Sequence, residues 1–411
     1  MIEKIKLLQL TLPETKYLKS GNTDIDRFEC RFNIKDILPD IVIQATLKRV
    51  KDKEDWFWCA PRLFYHESLN IIVGSGIYIR PLNERKVELG YGVVKPYEGK
   101  LYRSGSIEMS RGCPQKCTYC INESLRTAYL ETDSKLIRKK TVANTIKEAK
   151  FLKEKHDLEM FFFCDDNFLA ITRDRMAEFK DKWKKEINLP FWLNTTLESV
   201  TDWRLAALKE CGCAGIGIGV ESGNEWVRNE ILKRNSHNGN SKLIEVFKMI
   251  EEHGIRTTAN AMIGFPGETE ADMFETVKLV KAIKPMSYDI TFVAPYIGTP
   301  LHLLAKEKKL IKIESNNPGF NGMASEIGLR KGSIIENPYV TKEKMEHIVN
   351  NFVDYVKGEL PIPEEFLVEA PGSSPTALDR SDSLEEAQFI NLVFDDINKQ
   401  KQAYRDKKMV N

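Results

Sequence analysis

The pattern of apolar and polar positions changes near residue 106. From there to about residue 310, short apolar runs of strand length alternate with longer segments in which apolar residues recur every three or four positions. One of these segments places Met176, Phe179, Trp183 and Ile187 on one helical face, which is the spacing of a packed core helix. We predict six strands in this region, at residues 106–109, 160–164, 191–195, 214–220, 256–263 and 288–294, and a last helix at 299–308.

The order of these elements predicts the fold class. Alternation of buried strands with amphipathic helices is typical of βα units on a parallel sheet. Right-handed crossovers place the loop after each strand at the same rim of such a sheet. The expected fold is therefore α/β, with a partial (β/α)6 TIM-like barrel. The glycines of AGIGIGV at residues 214–220 disfavour a strand by propensity, so we expect close backbone approach there.

The two flanking regions have weaker patterns. Before the barrel, residues 5–12 and 70–79 contain strand-like apolar runs, and residues 41–47 fit either a helix or a strand. After it, we predict an amphipathic helix from Met345 to Val356 and a polar helix through Phe389, Val393 and Ile397. The expected division is a small N-terminal α/β segment, the barrel and a helical C-terminal extension, at residues 1–103, 104–311 and 312–411.

The composition narrows the classes of partner. Lys and Arg number 61 and Asp and Glu number 60, so the net charge of +1 gives no clear signal for nucleic acid, although a local basic patch is not excluded. The eight cysteines are too few for a disulfide scaffold, which indicates a reducing compartment and a cytoplasmic protein. We expect no membrane partner, because no apolar run approaches the roughly 18 residues of a membrane span. A signal peptide is not expected either, since the N-terminus lacks a small-residue cleavage site.

The strongest candidate for chemistry is SRGCPQKCTYC at residues 110–120. It places Cys113, Cys117 and Cys120 within eight residues, directly after the first predicted strand. Thiolates this close can bind zinc, cuprous copper or an iron–sulfur cluster, which are all soft metal centres. Buried structural thiols and a zinc module are the alternatives, but no second CxxC or histidine pair follows within about 30 residues. We therefore expect a metal site and favour an iron–sulfur cluster.

This cysteine segment, on the loop after the first strand of a six-fold βα array, resembles the signature of the radical S-adenosylmethionine (radical SAM) superfamily. The resemblance covers roughly residues 104–310. It implies a 4Fe–4S cluster bound by Cys113, Cys117 and Cys120, whose fourth iron stays open for the amino and carboxylate groups of S-adenosylmethionine. An open coordination position distinguishes a catalytic metal site from a closed structural one. By the same resemblance, Tyr119 lies against the adenine of the cofactor.

Polar residues follow the second and third strands at the same rim. Asp165 and Asp166 come directly after the second strand, where the resemblance implies groups that bind the charged amino group of S-adenosylmethionine. Carboxylates can do so through charge-assisted hydrogen bonds. The alternative is that one of them caps the next turn. Asn194 and Thr195 close the third strand, where the family uses polar residues for the ribose hydroxyls and the methionine carboxylate or amine.

Three further residues close the last strands. Glu221 follows an apolar and glycine-rich strand, so we expect a functional role, with a structural ion pair to an arginine as the alternative. Gly264, in IGFPG, resembles the glycine whose backbone lies under the adenine. Tyr296 follows the sixth strand. The residues expected to bind the cofactor are thus Tyr119, Asp165, Asp166, Asn194, Thr195, Glu221, Gly264 and Tyr296.

Within the superfamily, these segments look like the branch of cobalamin-domain enzymes and methylthiotransferases. The match breaks down upstream, because residues 1–100 contain no DxHxxG cobalamin motif. Methylthiotransferases have three further cluster cysteines there, whereas this chain has only Cys30 and Cys59. We therefore expect neither cobalamin nor a second cluster, and interpret residues 1–103 as a degenerate or truncated accessory domain. A partner chain that supplies an accessory domain is compatible with this interpretation.

The expected function is that of an oxygen-sensitive enzyme. The resemblance implies that an external donor of flavodoxin or ferredoxin type reduces the cluster. S-Adenosylmethionine is then cleaved, and a 5′-deoxyadenosyl radical abstracts hydrogen from a substrate. The substrate and the catalytic residues are unknown at this point, and methylation, methylthiolation, rearrangement and oxidation all stay open. The alternative from another class is a non-catalytic iron–sulfur protein that serves in binding or electron transfer.

Overall fold

A computed structural model describes the chain over most of its length. One compact unit consists of Met1–Ile107, Ala143–Phe162 and Leu189–Phe191, and the other of Glu108–Val142, Phe163–Asn188 and Trp192–Asn411. The three-part division expected from the sequence stays a prediction. The described residues are 8–9, 16–18, 27–33, 41–49, 57–66, 71–73, 77–83, 86–91, 93–98, 100–130, 135–234, 239–311, 333–367 and 381–410.

The N-terminal region contains strands β1 (Leu8–Gln9), β2 (Lys16–Leu18), β3 (Arg27–Asn33), β4 (Ile41–Arg49), β5 (Phe57–His66), β6 (Ile71–Val73), β7 (Ile77–Asn83) and β8 (Lys86–Tyr91). They form an eight-stranded sheet in the order β1-β8-β7-β5-β4-β3-β2, with β6 paired to β5. Neighbouring strands run antiparallel. This differs from the expected α/β segment, since the described residues before residue 98 contain no helix. Residues 41–47, which fitted either state, lie in β4 because their β-branched Ile and Val favour a pleated strand.

The second sheet contains the predicted barrel strands. Its strands are β9 (Val93–Tyr97), β10 (Lys100–Ile107), β13 (Met160–Phe163), β14 (Phe191–Thr195), β15 (Cys213–Glu221), β16 (Arg256–Ile263) and β17 (Ser287–Phe292). Two short strands, β11 (Ser110–Arg111) and β12 (Arg138–Lys139), form a separate antiparallel ribbon. The helices in this region are α1 (Ile121–Leu130), α2 (Val142–His156), α3 (Arg173–Lys182), α4 (Asp202–Glu210), α5 (Asn240–Glu252), α6 (Glu270–Ile283) and α7 (Pro300–Glu307).

The strand order establishes the fold class. The sheet runs β17-β16-β15-β14-β13-β10-β9, so that six strands stand side by side in chain order with helices between them. The pairs β15–β16 and β16–β17 are parallel, and β9 is joined antiparallel to β10 as an added edge hairpin. This arrangement confirms the predicted partial (β/α)6 barrel. It also places the ends of the strands, and the loops that follow them, at one rim.

The two faces of the barrel strands have different environments. In β14 and β16, buried residues alternate with half-buried ones, and Phe191, Leu193, Ala259, Ala261 and Ile263 lie on the buried face. The period of two follows from the pleat of a strand. Burial of this apolar face stabilises the sheet, and the half-buried face presents larger and mostly polar side chains, which include Trp192, Asn194 and Asn260.

The helix α3 packs through the residues that the sequence predicted. Met176, Phe179, Trp183 and Ile187 are all completely buried, and the Phe163 ring lies 5.6 Å from that of Phe179. The helix continues as a π-helical turn at Trp183–Ile187 and ends at Asn188, which adopts a left-handed conformation. The core interpretation of this stripe is therefore correct.

Several element boundaries differ from the sequence prediction. Strands at Phe191–Thr195 and Arg256–Ile263 match it fully, but the first barrel strand is longer and ends earlier, at Ile107. The second ends at Phe163, so that Cys164 is exposed. The strand predicted at residues 160–164 is therefore one residue too long, because the chain leaves the sheet before Cys164.

The described C-terminal residues are mostly helical, with α8 (Lys342–Asn350), α9 (Phe352–Lys357) and α10 (Ser381–Val410). The single amphipathic helix expected from Met345 to Val356 is two helices. The break lies at Asn351. Its side-chain amide donates to the carbonyl of His347 at 2.7 Å and so competes with the helical backbone bonds. In the described ranges, no helix has the length and apolar character needed to cross a membrane.

Candidate functional site

The three cysteines of the loop are free thiols in different degrees of burial. Cys113 and Cys117 are buried and Cys120 is half-buried. Burial raises the pKa of Cys113 and Cys120, and it raises the pKa of Cys117 to about 12, although the nearby Arg234 guanidinium opposes the last shift. In the metal-free chain these groups are therefore protonated near neutral pH. Binding of a metal would release their protons.

The chemistry of the donor set fits an iron–sulfur cluster. Over the described residues, no three Cys, His, Asp or Glu side chains are arranged to hold a single ion. A cluster does not need such convergence, because each thiolate binds a different iron. The loop offers three soft sulfur ligands on one short segment, so a four-iron cluster would retain one iron without a thiolate from this loop.

Asp165 holds the start of the cysteine loop. Its carboxylate accepts hydrogen bonds from the backbone N–H of Met109 at 3.0 Å, and from the N–H and the hydroxyl of Ser110, both at 2.6 Å. Burial raises the pKa of Asp165, while the hydrogen bonds from Ser110 and Met109 oppose this rise. The sequence analysis predicted a bond from this carboxylate to the cofactor's amino group. That role stays a prediction, and the structure adds a second one, since the carboxylate fixes the turn from β10 into the loop.

Asp166 holds the next part of the loop. Its carboxylate accepts from the N–H of Gly112 at 2.7 Å and from the side-chain amide of Asn122 at 2.9 Å. Gly112 has φ +93°, and a Cβ atom there would lie 2.5 Å from the carbonyl oxygen of Leu136. Only glycine fits this turn without strain. Asp166 is exposed, so its carboxylate is also accessible for the predicted contact with the cofactor.

Two more groups hold the middle of the loop, and the sequence analysis identified neither. The Arg126 guanidinium donates to the carbonyls of Cys113 at 2.8 Å and Gln115 at 3.0 Å, and it is oriented by the buried carboxylate of Glu123. Thr118 donates through its N–H to the carbonyl of Leu232 at 3.0 Å. These bonds hold the backbone of the loop from the side of α1 and from the segment after β15.

Tyr119 belongs to a buried polar triad. Its hydroxyl donates to a carboxylate oxygen of Glu221 at 2.9 Å, and Arg234 donates to that hydroxyl at 2.8 Å and to Glu221 at 2.9 Å. The side chains of Arg234 and Glu221 are each only 10% exposed. Burial raises the pKa of Glu221, and the Arg234 guanidinium and Tyr119 hydroxyl oppose this rise. The ion pair with an arginine, which was the alternative for Glu221, is thus present, and the functional role expected for Glu221 stays a prediction.

The backbone at Glu221 is irregular. Its φ is +66°, a left-handed value that is uncommon for a residue with a side chain, and the pairing of β15 with β16 shifts between Gly219 and Glu221. A bulge of this kind redirects a side chain at the end of a strand. Here the carboxylate of Glu221 points toward Arg234 and Tyr119. In a regular strand it would follow the alternation of side chains between the two faces of the sheet.

The glycines of β15 give room to side chains on neighbouring strands. A Cβ atom at Gly217 would collide with the amide oxygen of Asn194, and one at Gly215 would collide with the ring of Trp192. The sequence predicts close backbone approach at AGIGIGV, and the structure instead brings side chains close to these glycines. Asn194 lies on this glycine face, whereas Thr195 points elsewhere and donates to Asn167 at 2.7 Å.

Gly264 and Tyr296 lie at turns after the last two strands. Gly264 has φ +91°, and its N–H donates to the Glu268 carboxylate at 2.6 Å. The carbonyl of Tyr296 accepts a hydrogen bond at 3.0 Å from the N–H of Thr299, the residue that precedes α7. Tyr119 packs against the buried cluster that includes Phe265, the neighbour of Gly264. Hydrogen bonds thus join Glu221, Asp165 and Asp166 to the cysteine loop, which contains Tyr119. The other predicted residues, Asn194, Thr195, Gly264 and Tyr296, are held by other groups.

Replacement of Glu268 by glutamine is expected to stabilise the chain more at pH 8 than at pH 5. Burial, together with the nearby Asp272, raises the pKa of Glu268 well above its usual range. When a carboxyl has a higher pKa in the folded state than in the unfolded state, the folded state becomes less stable as the pH rises above the unfolded pKa. For Glu that unfolded pKa is about 4.3. Glutamine keeps an oxygen for Gly264 and Phe265 and does not ionise.

The measurement is urea unfolding of both proteins, without cluster, at the two pH values. Glu251→Gln, a change at an exposed position of α5, is the matched control and should give no pH-dependent difference. An equal stability difference of Glu268→Gln from the parent chain at pH 5 and pH 8 would contradict the prediction.

A family model and several relatives match part of the chain. The sequence model of the Radical SAM superfamily matches residues 107–280. An uncharacterized methyltransferase of Pyrococcus horikoshii is 26% identical over 202 residues, which are 48% of this chain and 41% of that protein. A tRNA-2-methylthio-N(6)-dimethylallyladenosine synthase of Clostridium botulinum is 26% identical over 244 residues, which are 56% of this chain and 50% of that protein. The chain thus spans half or less of the length of these relatives.

Solved structures of radical SAM enzymes also align with the chain. The methyltransferase TsrM of Kitasatospora setae, solved with cobalamin and a [4Fe–4S] cluster bound, aligns at 14% identity with a TM-score of 0.45. That alignment covers 81% of this chain and 73% of the other.

Proposed function

We propose that this chain, whose residues 107–280 form a radical SAM domain, is an enzyme that cleaves S-adenosylmethionine reductively and modifies a substrate by hydrogen abstraction. The observation that supports this most is the cysteine loop within that domain. Three free cysteines lie on a loop whose backbone is held by Asp165, Asp166 and Arg126. A site with ligands placed in advance binds its metal group with a smaller loss of entropy.

We assign different roles to the residues of the site. Cys113, Cys117 and Cys120 would hold the 4Fe–4S cluster, which supplies an electron for cleavage of the sulfonium bond of S-adenosylmethionine. Asp165 and Asp166 would keep the loop in place, and the accessible oxygens of Asp166 would accept from the cofactor's amino group. We assign the remaining cofactor contacts to Tyr119, Asn194, Thr195, Glu221, Gly264 and Tyr296.

The names of the relatives and the cysteine content of the chain bear on its further cofactors. Two relatives have methyl or methylthio transfer in their names. A second cluster would need further cysteines, and only Cys30 and Cys59 precede the loop. We propose that the chain binds one cluster, that it binds no cobalamin and that it acts in the cytoplasm with an external electron donor of flavodoxin or ferredoxin type.

The test is anaerobic reconstitution with iron and sulfide, followed by dithionite and S-adenosylmethionine. The expected result is about four irons per chain, a change in the visible spectrum on addition of S-adenosylmethionine, and formation of 5′-deoxyadenosine. A cluster without any response to S-adenosylmethionine would replace this proposal with the non-catalytic iron–sulfur protein. Bound zinc without visible absorbance would replace both. Cobalamin that copurifies from supplemented cells would overturn the statement on cobalamin alone.

A further inference from the structure

The ribbon of β11 and β12 lines a cleft beside the cysteine loop. Ser110 pairs with Lys139 and Arg111 with Arg138, and the side chains of Arg111, Arg138 and Lys139 are exposed. The cleft has a volume of about 240 Å³. It is lined by Glu108, Met109, Ser110, Arg111, Arg138, Lys139 and Lys140.

The charge of this cleft is strongly positive. Four of its residues are Arg or Lys and one is Glu108, whose carboxylate pairs with Arg111 at 2.7 Å. Arg138 donates to the hydroxyl of Tyr129 at 3.0 Å, and Lys139 donates to the carbonyl of Ala170 at 3.3 Å. These last two partners are neutral, so they orient the cations without cancelling their charge. The carboxylates of Asp165 and Asp166 bond to Ser110 and Gly112 beside the ribbon, so the exposed positive charge of the cleft is carried mainly by Arg138 and Lys139.

The ribbon is also rigidly joined to the cysteine loop. Arg111 is two residues before Cys113 in the chain. The N–H of Lys140 donates to the carbonyl of Met109 at 3.0 Å, and Asp165 holds both Met109 and Ser110. A molecule that binds the ribbon therefore lies next to the segment that positions the cluster ligands.

We propose that this basic ribbon is the docking surface for an acidic one-electron donor protein of flavodoxin or ferredoxin type. The inference rests on the proposed function, because a chain without a cluster needs no such donor. The docked donor loses one electron and the cluster on the loop gains one, with no bond made or broken in that step. Complementary charge would steer the encounter and orient the donor, which raises the association rate more than the final affinity.

An electron donor explains the location of the charge better than a nucleic acid does. Electron transfer needs a close approach to the cluster loop, and the ribbon is the segment that continues directly into that loop. Nucleic-acid binding would be expected to use a basic surface that spans several phosphates, whereas these cations are concentrated around a single cleft of about 240 Å³.

The test uses charge reversal of the two exposed cations in β12. In Arg138→Glu/Lys139→Glu, the reduction of the reconstituted cluster by limiting flavodoxin hydroquinone should be slower by roughly tenfold or more at low salt. The parent chain should lose this advantage as salt is added, because screening weakens steering. Arg138→Gln/Lys139→Gln should give an intermediate rate. The control Lys184→Glu/Lys185→Glu makes the same charge change in the exposed part of the π-helical turn and should leave the rate unchanged.

Two further measurements distinguish a failure of the docking proposal from a failure of the proposed function. Dithionite is small and needs no docking surface, so formation of 5′-deoxyadenosine with dithionite should be equal in all variants; its absence in the parent chain would defeat the proposed function itself. Titration of the cluster-free chain with flavodoxin at two salt concentrations measures their binding, and it tests docking without any catalysis. If charge reversal changes neither this binding nor the flavodoxin-driven rate, the proposal is overturned. It is also overturned if the reversal weakens retention of tRNA and leaves flavodoxin binding intact.

Discussion

The Cys117→Ala variant should lose the cluster and, with it, the formation of 5′-deoxyadenosine. Cys117 is the most deeply buried of the three loop cysteines, with 6% of its surface exposed, and it lies beside Arg234 of the buried triad. Replacement of groups that merely support metal ligands lowers affinity on the order of 10–100-fold. Loss of a ligand itself should exceed that range. Iron content and visible absorbance after anaerobic reconstitution are the measurements, with 5′-deoxyadenosine as the second.

The control for this experiment is Cys164→Ala. Cys164 is an exposed cysteine that directly follows β13, and it is not among the proposed ligands. Its replacement should leave the iron content unchanged. Full iron content in Cys117→Ala would remove Cys117 from the ligand set. Equal losses in both variants would show that reconstitution does not discriminate between the cysteines.

Arg234→Met should destabilise the cluster-free chain by about 3–5 kcal/mol, because it leaves the buried carboxylate of Glu221 without a counter-ion. Arg234 is the only donor of an ion pair to Glu221 among the contacts of the described residues, at 2.9 Å. Removal of one member of a buried pair is costly, whereas removal of both is much less so. The double variant Arg234→Met/Glu221→Leu should therefore recover part of the lost stability. Urea unfolding at neutral pH measures both effects.

An exposed ion pair provides the comparison. Lys180 and Glu210 are separated by 2.8 Å, and their side chains are 27% and 55% exposed. Solvent screens such pairs, so Lys180→Met should change the unfolding free energy little. If Arg234→Met has no larger effect than Lys180→Met, then Glu221 is solvated in solution and the triad is not a buried unit.

Tyr119 links this stability argument to the site. The family resemblance predicts that Tyr119 lies against the adenine and that Glu221 contacts the cofactor, and the structure joins both residues to Arg234. The fold therefore ties the last part of the cysteine loop to the end of β15. A variant at Arg234 is expected to disturb the loop as well as the stability of the chain, and iron content in Arg234→Met reports on that coupling.

The barrel was predictable from the sequence because its pattern is local. Strand and helix periods are set within about ten residues, and burial of one face by α3 or β14 leaves a visible alternation of apolar positions. The N-terminal region was less predictable. The run at residues 41–47 fits both periods, and its state depends on its pairing with β3 and β5, which lie outside the run itself.

The sequence by itself determined the loop of Cys113, Cys117 and Cys120, the order of the βα units and the rim on which the strand ends meet. These follow from spacing and from the handedness of the crossovers, which are properties of neighbouring residues. The tertiary structure alone showed that Asp165 and Asp166 hold the loop, that Arg126 and Arg234 bond to it, and that a basic ribbon lies beside it. Hydrogen bonds such as Asp165 to Met109 join residues 56 positions apart, and no local pattern in the sequence records which donor a buried carboxylate will meet.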